Sequence, residues 1–184
     1  MELFYDTETS GKANFGYSYR DKQPWIVQLG NILSSESKIH SRVSLMIKPE
    51  GRIITPGAYN VHKINEETAQ KYGVSELTAC YIFLELLVNS DIGICHNVAF
   101  DRLLVAHMLH NNDFIDEAEF LMTHDSYCTM LKGTDICKIP SFRGNKWPTL
   151  KELHKYLFDE DFEDAHDALV DTEATRRCYY KMIK

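Results

Sequence analysis

The chain has 184 residues, 44% hydrophobic and 26% charged. That is the balance of a soluble globular protein long enough to bury a real core, and it excludes a disordered or fibrous chain. The formal charge is −7, awkward for a polyanion binder, whose usual footprint is a wide basic face.

No repeat, low-complexity tract or linker interrupts the sequence, so one domain over residues 1–184 is expected. Residues 2–6 (ELFYD) predict a buried strand, and 25–33 (WIVQLGNIL) and 41–47 predict two more from their β-branched and apolar content. Pro49, Gly51, Pro56 and Gly57 punctuate a loop after them. A helix is expected over 75–89, capped by Ser75, with Leu77, Tyr81, Leu84 and Val88 on one face. Its apolar run, 79–88, is too short to cross a membrane and contains Glu85. Residues 91–95 read as a short strand, 98–110 as a helix, 124–127 as a further strand and 130–145 as irregular. Helices over 149–157 and 168–183 close the chain. Early strands followed by alternating helices and strands indicate an α/β layer fold with a mixed sheet.

Five cysteines, Cys80, Cys95, Cys128, Cys137 and Cys178, form no C-x-x-C pair. Reduced cytoplasmic thiols fit better than disulfides or a structural zinc site. A signal peptide would have to occupy the first residues, where Asp6 and Glu8 stand instead.

At three places acids stand where folding alone would put hydrocarbon. Along the first strand Phe4, Asp6 and Glu8 share a face. Asp101 heads the stripe Leu104, Val105 and Met108, and Asp171 heads Ala174, Cys178 and Met182. A buried carboxylate needs a pairing partner or a metal. A salt bridge explains any one of them, with Arg102 or Arg176 as partner, but several together favour a shared cation, and oxygen ligands suit Mg²⁺ or Mn²⁺. His166 lies five residues before Asp171, about 140° around a helix axis. It therefore belongs at or before the first turn, where Asp164 or Asp167 caps and the ring is free to swing toward the acids. A histidine near a metal cluster is suited to general-base work.

The same residues resemble the motifs of the DEDD exonucleases. Residues 4–11 (FYDTETSG) resemble the first motif, 96–101 (HNVAFD) the second, and 166–171 (HDALVD) the third motif of the histidine-bearing subclass, H-x-A-x-x-D. The likeness is to proofreading-type members such as the epsilon subunit of the bacterial replicative polymerase, and it spans nearly the whole chain. Gln28-Leu29-Gly30 and Val61-His62 add smaller family features. Ser10 stands where a second threonine is frequent, Lys63 where glycine is frequent, and 132–146 is long enough to be a substrate-contacting insertion.

The resemblance implies a ribonuclease H-like three-layer fold, a mixed central sheet flanked by helices. It implies 3′→5′ exonuclease activity on a nucleic-acid 3′ end, with single-stranded DNA favoured and nucleoside 5′-monophosphates released. Two Mg²⁺ or Mn²⁺ ions are implied, held by Asp6, Glu8, Asp101 and Asp171 with Asp6 bridging, and His166 as the base toward the attacking water. The backbone at Thr9, Ser10 and Gly11 is expected to approach the terminal sugar, Asn97 and Phe100 to shape the pocket, and His62 and Ile64 to wedge against the terminal bases. Plain packing is the competing reading, core above all for Phe100 and Ile64. Arg143, Lys146, Lys151 and Lys155 form the candidate basic strip, with Trp147 among them as a stacking platform or a buried side chain. A polymerase or replication partner is possible, and no membrane is involved. The rival functions are an exoribonuclease trimming RNA 3′ ends and a non-catalytic nucleic-acid-binding or polymerase-docking module.

Overall fold

The computed structural model describes residues 1–36, 38–142, 144–162 and 166–184. Arg143 of the expected basic strip and Asp164, a candidate cap, lie outside the described residues. In chain order the elements are β1 (Glu2–Thr9), β2 (Ile26–Ser35), β3 (Lys38–Met46), α1 (Pro56–His62), α2 (Glu66–Tyr72), α3 (Glu76–Leu87), β4 (Ile92–Cys95), α4 (Val98–Asn111), α5 (Ile115–Thr123), β5 (Ser126–Cys128), α6 (Thr129–Cys137), β6 (Pro140–Ser141), β7 (Gly144–Asn145), α7 (Leu150–Phe158) and α8 (Ala168–Met182).

Five strands form one sheet in the order β3-β2-β1-β4-β5. β2 runs antiparallel to β1 and β3, whereas β4 runs parallel to β1 and β5. Side-chain alternation sends Leu3 and Tyr5 into one core with Leu29, Phe83, Leu104 and Met108, under α3, α4 and α5. Phe4 faces the other way, into a second core with Ile32, Ile94, Tyr179 and Tyr180 under α8. Helices thus cover both faces of a mixed sheet, and the architecture is the expected ribonuclease H-like three-layer one. Among the described residues no helix is long and apolar enough to cross a membrane.

Three expectations are corrected. Of the expected face Leu77, Tyr81, Leu84 and Val88, Leu77, Tyr81 and the C-cap Val88 are exposed, at 44%, 57% and 69%, and Leu84 packs at the edge of the core, while Ala79, Cys80, Phe83, Leu86 and Leu87 are buried. This helix is apolar on two stripes, and the stripe with small Ala79 and Cys80 lets it approach α4, where the Cys80 thiol meets the Met108 carbonyl oxygen at 3.9 Å. The stretch read as irregular is a helix and a short hairpin. Gly133 lowers helix propensity, yet a Cβ there would come 3.0 Å from Leu153 Cδ1 and 3.2 Å from Pro148 Cγ, so glycine lets α6 lie against α7. The Pro56-Gly57 loop is the start of α1, with Pro56 in the first turn behind the Thr55 cap.

Candidate active site

β1 is where the sheet changes sense, antiparallel to one neighbour and parallel to the other. Its pairing with β4 runs only from Glu2 to Phe4, and β4 then turns into α4, so the strands part and leave a crevice at their carboxyl ends, the usual ligand position in open α/β sheets. Asp6 and Glu8 emerge there, on the face of Phe4. The crevice opens into a cavity of about 880 Å³ lined by Asp6, Glu8, Asp101, His166 and Asp171.

Each acid is positioned by its own element. Asp101, one turn into α4 and 2% exposed, accepts two hydrogen bonds on one oxygen, from the Thr7 amide (3.0 Å) and the Thr7 hydroxyl (2.8 Å). These bonds fasten the helix to the strand. At the start of α8, Asp167 is the N-cap, accepting from the Leu169 and Val170 amides. Its second oxygen accepts from the Gln28 amide nitrogen (2.8 Å), and the Gln28 amide oxygen accepts from the Ala168 N–H (3.1 Å). Gln28 is thus a clasp between β2 and α8. Gly30, two residues along, gives the helix room to come close, since a Cβ there would lie 2.4 Å from the Ala168 carbonyl oxygen.

His166 precedes the cap, as its spacing from Asp171 requires, and adopts the left-handed region at φ 78°. Its N–H donates to one Asp171 oxygen at 3.0 Å. The other Asp171 oxygen is buried without a hydrogen-bond partner among the described residues. Glu8, His166 and Asp171 each offer a ligand atom, and these atoms all lie within 4.8 Å of one another.

Burial and mutual repulsion govern the charges. Burial, then Asp171 and Asp101, pushes Glu8 up to about 8. Burial pushes Asp101 up to about 7 against the Thr7 hydrogen bonds, which pull it down. Asp6 is raised well above the usual carboxylate range by burial and by Asp101, Asp171 and Glu8. Asp171 is raised by burial, opposed by the His166 contacts. Four acids in one crevice cannot all ionise near neutrality without a counter-cation. With an oxygen-rich donor set, one imidazole and an orphaned buried carboxylate oxygen, the residues fit a hard divalent cation.

The expected substrate residues divide. Thr9, Gly11, His62, Asn97 and Phe100 line the cavity, and Ser10 and Ile64 do not. The Ser10 hydroxyl accepts the Trp25 amide at 3.1 Å. Ile64, 9% exposed, packs with Trp25, Val27, Ile54 and Ala69, so it is core and not a wedge. His62 accepts the Ile64 amide on Nδ1 at 3.1 Å, and burial lowers its pKa, which keeps the ring neutral. Lys12, Phe15, Val61 and Leu150 also line the cavity. No periodicity marks Lys12 or Phe15, which sit on the loop between β1 and β2. The basic strip is thinner than expected. Lys146 pairs with Glu152 (2.6 Å), and Lys155 with Asp161 (3.4 Å) and Asp159 (3.7 Å), while Lys151 is the member whose charge reaches Asp171. Trp147 is 63% exposed.

His96 holds the far wall. Its Nε2 meets the Pro148 carbonyl oxygen at 3.0 Å and its Nδ1 the Thr129 hydroxyl at 3.1 Å. Both nitrogens are engaged, which removes His96 from any zinc site.

The family model described as Exonuclease (RNase_T) matches residues 3–179. The chain belongs to this exonuclease family. Divalent-metal dependence comes with that membership, in line with the acid and histidine cluster. The exonuclease domain superposes on E. coli Exonuclease I in complex with a dT13 oligonucleotide with a TM-score of 0.77 at 19% identity, covering 100% of this chain and 40% of that one. The complex with a dA16 oligonucleotide gives 0.77 at 21% identity, again over 100% and 40%. A zinc-ion-bound form of the E. coli complex with single-stranded DNA gives 0.74 at 18%, over 100% and 40%. At these identities the likeness is one of fold, and the chain spans about 40% of the length of these structures. No curated protein sequence matches it.

Proposed function

We propose that the domain is a 3′→5′ exonuclease of the histidine-bearing DEDD subclass that shortens single-stranded DNA by one nucleoside 5′-monophosphate at a time. The observation that carries this reading is the convergence of Asp6, Glu8, Asp101 and Asp171 with His166 in one cavity. The fold relatives seen with single-stranded DNA support the substrate class.

Asp6, Glu8, Asp101 and Asp171 would hold two Mg²⁺ or Mn²⁺ ions. When bound, such ions lower the pKa of the attacking water and offset the charge growing on the phosphate. His166, exposed at the cavity mouth, accepts the proton of that water on its imidazole. The bond from its N–H to Asp171 ties His166 to the start of α8, so base and carboxylate keep their relative places. The Thr7 bonds hold Asp101 in the orientation that binding needs. Phe100, Val61 and Leu150 give the terminal nucleoside an apolar seat that excludes bulk water, and Thr9, Gly11, Asn97 and His62 supply its polar edge. The proofreading likeness of the motifs belongs to this proposal, which requires no polymerase partner.

The test is digestion of a 5′-labelled single-stranded DNA oligonucleotide and its RNA counterpart in Mg²⁺ or Mn²⁺, with EDTA and Asp6→Ala as controls. A ladder shortening from the 3′ end, faster on DNA and abolished by both controls, is expected. Faster loss of RNA would make the enzyme an exoribonuclease, and intact label on both would reduce the domain to a binding module.

A further inference from the structure

Two aromatic side chains stand in solvent on the loop between β1 and β2. Phe15 is 62% exposed and Tyr17 58%. Leaving such side chains out of the core forgoes roughly 1.5–3 kcal/mol each, so a slack loop would fold them inward. This loop is braced. Gln23, 8% exposed, reaches back into it, accepting the Asn14 amide (2.9 Å) and donating to the Asn14 and Ser18 carbonyl oxygens (3.1 and 3.3 Å). Asp21 accepts from the Ser18 amide and hydroxyl, and His107 on α4 meets the Tyr19 carbonyl oxygen at 2.7 Å. The loop is an ordered support that presents its aromatics outward.

Phe15 also separates two hollows. It lines the active cavity and packs on Phe100, ring centroids 6.3 Å apart. Beyond it lies a second hollow of about 350 Å³, walled by Phe15, Tyr17, Val98, Ala99, Arg102 and Met122. Arg102 donates to the Met122 carbonyl oxygen at 2.9 Å and joins no ion pair among the described residues. An apolar trough with two ring faces and one cation has the chemistry of a nucleotide site. Aromatic faces stack any base, and guanidinium pairs with phosphate.

We propose that this hollow seats a nucleotide of the single strand upstream of the 3′-terminal one, with its base against Phe15 and Tyr17 and its phosphate against Arg102. The inference rests on the active cavity being the seat of the terminal nucleotide, because Phe15 is the wall the two share. It explains how a chain of net charge −7 holds a polyanion: ring faces carry much of the grip, and few phosphates are contacted. The salt dependence of strand binding is then shallow, and Arg102→Gln lowers its slope by about one.

The experiment compares the wild type with Tyr17→Ala and Arg102→Gln on two substrates. One is the p-nitrophenyl ester of thymidine 5′-monophosphate, which fills the active cavity alone. The other is a ten-nucleotide single-stranded DNA. Each substitution is expected to raise KM for the ten-mer by roughly five-fold or more while leaving kcat/KM for the ester within about two-fold, which also shows that the variants are folded. An unchanged ten-mer KM in both variants, with the ester still hydrolysed, would overturn the upstream site and leave the catalytic reading standing. Failure of the wild type on both substrates would overturn the catalytic reading and the upstream site with it.

Discussion

Replacing Gly30 by alanine is expected to impair catalysis far more than stability. The new Cβ would lie 2.4 Å from the Ala168 carbonyl oxygen, 2.5 Å from its carbon and 2.7 Å from the Leu169 nitrogen, where ordinary contact begins at 3.4 Å. These are backbone atoms of the first turn of α8, so no flexible side chain can absorb the clash. The helix start must retreat by about 1 Å, lengthening the Gln28 bonds to Asp167 and Ala168. Overpacking of this kind costs about 1–3 kcal/mol, less than the 5–15 kcal/mol that typically holds a domain of this size together, so the variant should fold with a lowered Tm. Asp171 sits one turn along the displaced helix and His166 just before it. A misplacement of about 1 Å at a reacting centre costs roughly 10²-fold in rate. Circular dichroism and thermal unfolding establish the fold, and single-turnover digestion of a 5′-labelled oligonucleotide gives the rate. A folded Gly30→Ala protein with the wild-type rate would show that the closeness of α8 to β2 does not set the site.

Thr7→Val keeps the shape of the side chain and removes one of two hydrogen bonds to buried Asp101. A loss of about 1.5–3 kcal/mol in denaturant unfolding is expected, and a change below about 0.5 kcal/mol would mean that the Thr7 amide alone holds the carboxylate. His96 is lowered from 6.5 to about 4 by burial, opposed by its hydrogen bond to Pro148, so between those values it binds fewer protons folded than unfolded. Its contribution to stability is full above pH 6.5 and is lost as pH falls toward 4, by up to about 3 kcal/mol. His96→Gln should remove that part of the acid slope, and equal slopes in both proteins would refute the assignment. Lys151→Glu should raise KM for single-stranded DNA by about ten-fold, with Lys155→Glu nearly silent because Lys155 is paired with Asp159 and Asp161. Equal effects of the two would restore the whole strip as a docking surface.

Much of the site was legible because acids in apolar places leave a local mark. Asp6 and Glu8 lie in the second half of a strand whose first half is apolar on both faces, and Asp101 and Asp171 each head a stripe of helical spacing, of which the structure buries Leu104, Val105, Met108, Ala174 and Cys178 and leaves Met182 half-buried. The constraint on His166 also came from helix geometry, since five residues from Asp171 it had to precede the first turn. What stayed hidden is long-range or local to a cap. The clasp from Gln28 to Asp167 spans 139 residues, and no window of sequence contains both ends. Thr7 is the unremarked middle residue of D-x-E, yet it carries Asp101. The short helices α1 and α2 depend on the Thr55 and Asn65 caps more than on periodicity. α3 has two apolar stripes, and only the small residues on one decide which is buried. Ile64 follows two positions after the cavity-lining His62 but turns into the Trp25 core, a difference of direction that spacing does not encode.

The central claim is that the acid cluster is a divalent-cation site required for hydrolysis. Its most direct test is calorimetric titration of Mn²⁺ into the wild type and Asp171→Asn, each with a nucleoside 5′-monophosphate present. Two ions bound per wild-type chain, with binding lost or sharply weakened in the variant, is the predicted result. Equal Mn²⁺ binding by the two proteins, or none by the wild type, would contradict it.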